Sequence, residues 1–203
     1  MARRSDHSRD ELRAMAIAAA RDIIAREGYP ALTARGVARE IGYSVGTIYN
    51  LFDDLDDLVV HVNGETFDQL YDDLSADRPA LGLEQALLDI GRRYVAFVSA
   101  NRGLWNAIFD HRMPAGRPLP DWYAPKIDRL FALVETELEP IFPDPGMRAE
   151  RRRAAAMLWS SLHGLCTLWQ SDKMRLVESA PLADLATAMI STFVAGLRAG
   201  TGQ

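Results

Sequence analysis

One cysteine, Cys166, stands in the 203 residues, so neither a disulfide framework nor a thiolate metal site can form within a single chain. No uninterrupted apolar run approaches the roughly 20 residues that a membrane-spanning helix needs. The opening Met-Ala-Arg-Arg-Ser-Asp leads into a charged helix rather than the apolar core of a secretory signal. Strand-like alternation with hairpin turns is missing. So are a glycine-rich phosphate loop, a Ser/His/Asp order and carboxylates paired for acid–base work. His7, His61 and His111 are too scattered to suggest a metal cluster. The expectation is a soluble, cytoplasmic, all-α protein with no catalytic residues, metal or cofactor, and no membrane partner.

What the chain does have is helical periodicity throughout. Apolar residues make up 48% and charged residues 25%, enough to bury a substantial core. Ser8 with Glu11 forms a capping box that opens a first helix, with Leu12, Ala16, Ala19 and Ile23 as its buried stripe and Gly28 at its end. Thr33 and Ser44 offer N-cap hydroxyls to two short helices. A long fourth helix, about 54–74, carries Leu58, Val62, Thr66 and Leu70. Further helices are predicted at about 83–100, from Asn101 as cap to near 109, at 122–139 with Pro125 in the first turn, at 147–171 and at 182–199. That makes nine. Residues 110–121, with three prolines and Gly116, read as a loop.

The most informative segment is LTARGVAREIGYSVGTIYNLF, residues 32–52. Val37, Ala38 and Ile41 share one helical face, and Ile48 and Phe52 another. Gly42 can take the positive φ that closes a helix, and Ser44 caps the next. Small Ala38 lets the two helices cross closely. This is the grammar of a helix-turn-helix, whose second helix enters the DNA major groove. An ordinary αα-corner has the same elements.

Charge is distributed unevenly. The net charge is −5, yet residues 1–50 carry +2, residues 51–80 carry −8, and the remainder carries +1. A DNA reader needs only a local basic surface, because screening confines exposed charge to roughly 8–10 Å.

The order of an N-terminal helix, a Gly-Tyr-Pro-Ala-Leu-Thr link, a helix-turn-helix and Gly-Thr-Ile-Tyr-Asn-Leu-Phe closely resembles the tetracycline-repressor (TetR) family of bacterial regulators. The match covers about residues 9–60. Downstream, Trp159, His163 and Gly164 in LWSSLHGL, with NRGLWNAIF before them, look like the subgroup named for a Trp-His-Gly ligand-binding domain. The resemblance implies a DNA-binding domain at 1–54 and a ligand-binding and dimerisation domain at 55–203. It departs from the family pattern at Val45 and Leu55, where members commonly carry lysine; each change removes a phosphate contact.

Chemistry suggests roles within the head. Tyr43, Val45 and Thr47 would face the groove, with Gly46 letting the backbone approach. Thr33, Ser44, Tyr49 and Asn50 suit phosphate oxygens. Arg35 could reach a guanine edge or a phosphate. Tyr49 has packing between the third and fourth helices as its other role. Arg3 and Arg4 make either a minor-groove arm or a solubilising tail. Asp53, Asp54, Asp56 and Asp57 read as a solvated helix start.

In the body, large rings around a few polar groups suit an apolar small-molecule pocket, and Phe67, Trp105, Phe109, Trp159 and His163 are its candidates. The same residues could be plain core. Ala155, Trp159 and His163 on the eighth helix, and Leu182, Ala186, Ile190 and Val194 on the ninth, either form a homodimer interface or close the monomer core. The expected function is a repressor released from a palindromic double-stranded operator by a small apolar or aromatic ligand. The rival is a helical ligand- or partner-binding protein with weakened DNA affinity.

Overall fold

The computed structural model describes residues 7–201; Arg3 and Arg4 lie outside them. Among the described residues are nine α-helices and no strand: α1 (Arg9–Glu27), α2 (Ala34–Glu40), α3 (Val45–Leu51), α4 (Leu55–Ser75), α5 (Leu83–Ala100), α6 (Arg102–Asp110), α7 (Tyr123–Glu137), α8 (Arg148–Gln170) and α9 (Leu182–Thr201). Single 3-10 turns stand at Tyr29–Ala31, Pro145–Met147 and Met174–Leu176.

The local signals act as their chemistry dictates, with one exception. Ser8 Oγ accepts from the Glu11 amide at 3.2 Å while the Glu11 carboxylate accepts from the Ser8 amide at 2.6 Å, a complete capping box. Thr33 accepts from the Gly36 amide at 3.0 Å and Ser44 from the Thr47 amide at 3.3 Å. Asn101 occupies the N-cap position of α6, but its side chain makes no capping hydrogen bond. Its backbone, at φ −115° and ψ 34°, departs from the extended conformation that aims a cap at the first-turn amides.

Packing separates the chain into two compact units. One takes in the chain up to Asp68 together with Asn101–Ala124; the other holds Gln69–Ala100 and the chain from Pro125 onward. Residue 54, the boundary expected between DNA-reading and ligand-binding domains, falls inside the first unit. The chain passes between the units three times, first within α4.

In the first unit, Leu12, Ala16 and Ile23 of α1 pack with Val37, Ala38 and Ile48 of the two short helices, with Leu58, Val59 and Val62 of α4, and with Leu104 and Ala107 of α6. Each large apolar side chain so buried contributes about 1.5–3 kcal/mol. Gly103 is what lets α6 lie so close to α1, since a Cβ there would stand 2.5 Å from the Ile24 carbonyl oxygen.

In the second unit, Leu87, Leu138, Ala155, Leu158, Ile190 and Val194 form one core. Leu182, Ala186, Ile190 and Val194 are therefore spent inside the subunit, as Ala155 is. The sequence left these residues as either core or dimer surface, and the apolar stripe packs on its own chain. Met189, Phe193 and Leu197 of α9 are partly buried against the same core, and 22% of the stretch from Leu182 to Gly200, whose mean hydropathy is 1.3, is fully buried.

Candidate nucleic-acid interface and aromatic clusters

The turn between α2 and α3 is built by backbone chemistry. Gly42 sits at φ +75°, and two bonds close the helix end: Gly42 N–H to the Arg39 carbonyl at 3.3 Å, and Tyr43 N–H to the Ala38 carbonyl at 2.9 Å. That pair is a Schellman motif, which satisfies carbonyls a helix end leaves open. Ser44 then starts α3, its Oγ also lying 3.1 Å from Thr47 Oγ1.

The nine residues proposed from sequence divide by what else they do. Arg35, Gly46, Tyr49 and Asn50 are exposed, Tyr49 at 56%. Of the two roles left open for Tyr49, burial between helices is the one its exposure disfavours. Thr33, Ser44 and Thr47 are accessible, but the first two hydroxyls are committed to capping. Tyr43 and Val45 are half-buried and pack against the first unit's core, as does Leu55. Val45 and Leu55, found where the family commonly has lysine, thus exchange a cationic tip for apolar contact.

Two residues that the sequence reading did not single out hold α3 in place. Arg13 of α1 donates to the Leu51 carbonyl at 2.5 Å, lies 4.4 Å over the Phe52 ring and contacts His61 Nε2. Arg9 donates to the Asn50 carbonyl at 3.2 Å. Both guanidinium groups meet carbonyls that the C-terminus of a helix leaves without partners, where positive charge is favoured. Only the third dimension brings residues 9 and 13 beside 50 and 51.

The aspartates at the start of α4 are occupied rather than merely solvated. Asp54 accepts from the Asp57 amide at 2.9 Å and pairs with Arg117; Asp56 lies 3.1 Å from His111 Nε2; Asp57 lies 3.6 Å from His61 Nε2. The Asp57 amide, aided by Arg117, holds the Asp54 carboxyl below its ordinary value. The 110–121 loop is thereby pinned to the first turn of α4.

The five candidate ligand residues form two groups, one in each unit. In the first unit, Phe67 and Trp105 are buried and meet edge to face with ring centres 6.4 Å apart; Trp105 meets Phe109 at 5.6 Å, and Phe67 meets Tyr123 at 5.5 Å. Phe109 is 40% exposed. In the second unit, Trp159 stacks on His163 at 5.5 Å and meets Phe131 edge to face at 5.7 Å. His163 Nδ1 lies 3.0 Å from the Tyr94 hydroxyl, and burial pushes the imidazole below its ordinary pKa, favouring the neutral ring.

Asn63, overlooked in the sequence, belongs with the first group. It is 1% exposed in the middle of α4, beside the Tyr123 phenol, whose pKa burial raises and Asn63 draws back down. Its Oδ1 has no hydrogen-bond partner among the described residues. A buried acceptor left so costs about 1–3 kcal/mol.

A helix-turn-helix with exposed polar side chains, followed by a second helical unit, defines the class of DNA-reading regulators with a separate helical body. Comparison with known proteins agrees. Residues 16–62 match the model described as "Bacterial regulatory proteins, tetR family", and residues 87–193 match "Tetracyclin repressor-like, C-terminal domain". An uncharacterized HTH-type transcriptional regulator of Mycobacterium tuberculosis is 24% identical over 87% of this chain and 77% of its own length. A tetR-family transcriptional regulator from Streptomyces coelicolor superposes with TM-score 0.70 at 21% identity, covering 95% of this chain and 82% of that one. The transcriptional regulator FadR from Bacillus subtilis, solved in complex with stearoyl-CoA, superposes with TM-score 0.68 at 17% identity, over 90% and 98%. The chain belongs to the TetR family of bacterial transcriptional regulators.

Proposed function

We propose that this regulator is a homodimeric, cytoplasmic repressor, not an enzyme, that leaves a palindromic operator when a small apolar or aromatic molecule binds its body. The observation that carries this reading is the α2–α3 turn, with Arg35, Gly46, Tyr49 and Asn50 exposed on the two helices it joins. DNA reading is assigned to residues 1–54, and ligand binding and dimerisation to residues 55–203. Arg35 serves a guanine edge or a phosphate, Tyr49 and Asn50 serve phosphates, and Gly46 admits the backbone. Tyr43 and Val45 contribute only the part of each ring or branch left outside the core.

The two aromatic groups supply the ligand reading, each combining large rings with a polar atom. A ligand shifts the DNA-binding equilibrium only by the difference between its affinities for the two conformations. Helix α4 carries Phe67 and Asn63 on the same rod that begins at Leu55, beside the recognition helix. Dimerisation is assigned to the outer faces of α8 and α9, where Met157 and Leu168 of α8 are exposed.

A footprint of the purified protein on DNA flanking its own gene tests the reading. The expected result is protection of an inverted repeat whose half-sites lie about 34–36 Å apart, or a multiple of that. Absence of any protected site at low salt would return the protein to the rival reading, a helical ligand- or partner-binding protein, which the apolar Val45 and Leu55 already favour.

A further inference from the structure

We propose that Asn63 is a specificity-determining residue for the ligand: its Oδ1 accepts a hydrogen bond from an N–H or O–H on a compact aromatic molecule bound against Phe67, Trp105 and Tyr123. The inference rests on the ligand-responsive reading above and narrows it to ligands that carry a donor.

Three observations meet here. Asn63 is almost wholly buried, and its acceptor oxygen has no hydrogen-bond partner among the described residues. Its side chain stands beside the Tyr123 phenol and opposes the rise that burial brings to that group's pKa. Phe67, one turn along α4 from Asn63, meets both Tyr123 and Trp105 edge to face. Thr66, the other buried polar residue of this stretch, does not share the vacancy, since its hydroxyl donates to the Val62 carbonyl at 2.9 Å. A buried amide oxygen without a partner discriminates strongly. A ligand with a donor satisfies it, and a ligand of the same shape without one leaves it desolvated and unpaired. Because Asn63 stands on α4, the bond would act directly on the helix that starts beside α3.

Indole and benzofuran serve as probes, being alike in shape and differing in whether the five-membered ring carries N–H. Calorimetric titration of the full-length protein should give indole about tenfold tighter binding than benzofuran, the value of one hydrogen bond near 1.4 kcal/mol. The Asn63→Leu variant should bind both alike, and Asn63→Ala, which adds no bulk, should repeat the result if the leucine variant folds poorly. Equal affinities in the unaltered protein, or a preference that survives in the folded variant, overturn the assignment of Asn63 and leave an aromatic ligand site standing. Failure of both probes to bind at millimolar concentration overturns the assignment and the aromatic-ligand reading together.

Discussion

The Cδ1 methyl of Ile190 fills the place a Cβ on Gly91 would occupy, so a side chain at residue 91 must push the end of Ile190 aside within the packed contact of α5 and α9. Gly91→Ala should therefore destabilise the protein by about 1–3 kcal/mol through overpacking, despite the better helix propensity of alanine. Ile190→Ala should cost about 2–5 kcal/mol by leaving a cavity. Urea unfolding of both variants checks this. A Gly91→Ala variant as stable as the parent would mean that the end of Ile190 moves aside without cost, and an Ile190→Ala variant as stable as the parent would mean that the side chain is not packed here.

The same contact changes which substitution tests assembly. A charge at Ile190 would unfold the subunit before it could split a dimer, because the side chain is buried within its own chain. Gly164 of α8 and Gly196 of α9 are suitable instead, since a Cβ at either meets nothing within 4 Å. Gly164→Glu or Gly196→Glu should leave the helical circular dichroism intact and shift sedimentation from dimer to monomer. If both variants stay dimeric, the interface lies elsewhere.

Arg13 gives a test of the recognition helix that touches no base. Its removal frees the Leu51 carbonyl and uncovers the Phe52 ring. A hydrogen bond from a charged donor is worth about 1.5–3 kcal/mol, so Arg13→Ala should weaken operator binding by about tenfold or more while ligand affinity holds. Gel-shift titration alongside calorimetry distinguishes this from general unfolding.

Two titratable groups of the second unit carry opposite consequences of burial. The Cys166 thiol is pushed up to about 11, so at pH 8 the folded protein should resist thiol reagents that label it promptly in denaturant. For His163 the folded pKa lies below the unfolded value of about 6.5, so the unfolded chain binds more protons in that window. Stability should fall as pH drops below 6.5, and His163→Gln should flatten that slope. A slope unchanged by the substitution would show that the imidazole is not buried in solution.

The pattern of what could be read from sequence follows the range of the forces involved. Caps and turns at Ser8, Thr33, Gly42 and Ser44 act over three or four residues and were legible, as were the helices. Asn101 misled because a cap needs the right backbone angles as well as the right side chain. The stripe at Leu182, Ala186, Ile190 and Val194 was legible as buried, though sequence could not say whether its own chain or a second copy covers it. The placing of α6 with the first unit, the arginine anchors of α3 and the orphaned oxygen of Asn63 all depend on contacts between residues far apart in the chain. No local periodicity reports those.

The central claim is that the exposed side chains of the α2–α3 motif read DNA, and the most direct test is the salt dependence of operator binding with and without them. On the inverted repeat found by footprinting, log affinity of the unaltered protein should fall linearly with log salt. Arg35→Ala should weaken binding and, if the guanidinium meets a phosphate, reduce the slope by about one; Tyr49→Ala should weaken binding with the dimer intact. Affinity that ignores salt, or that neither substitution changes, would contradict the account.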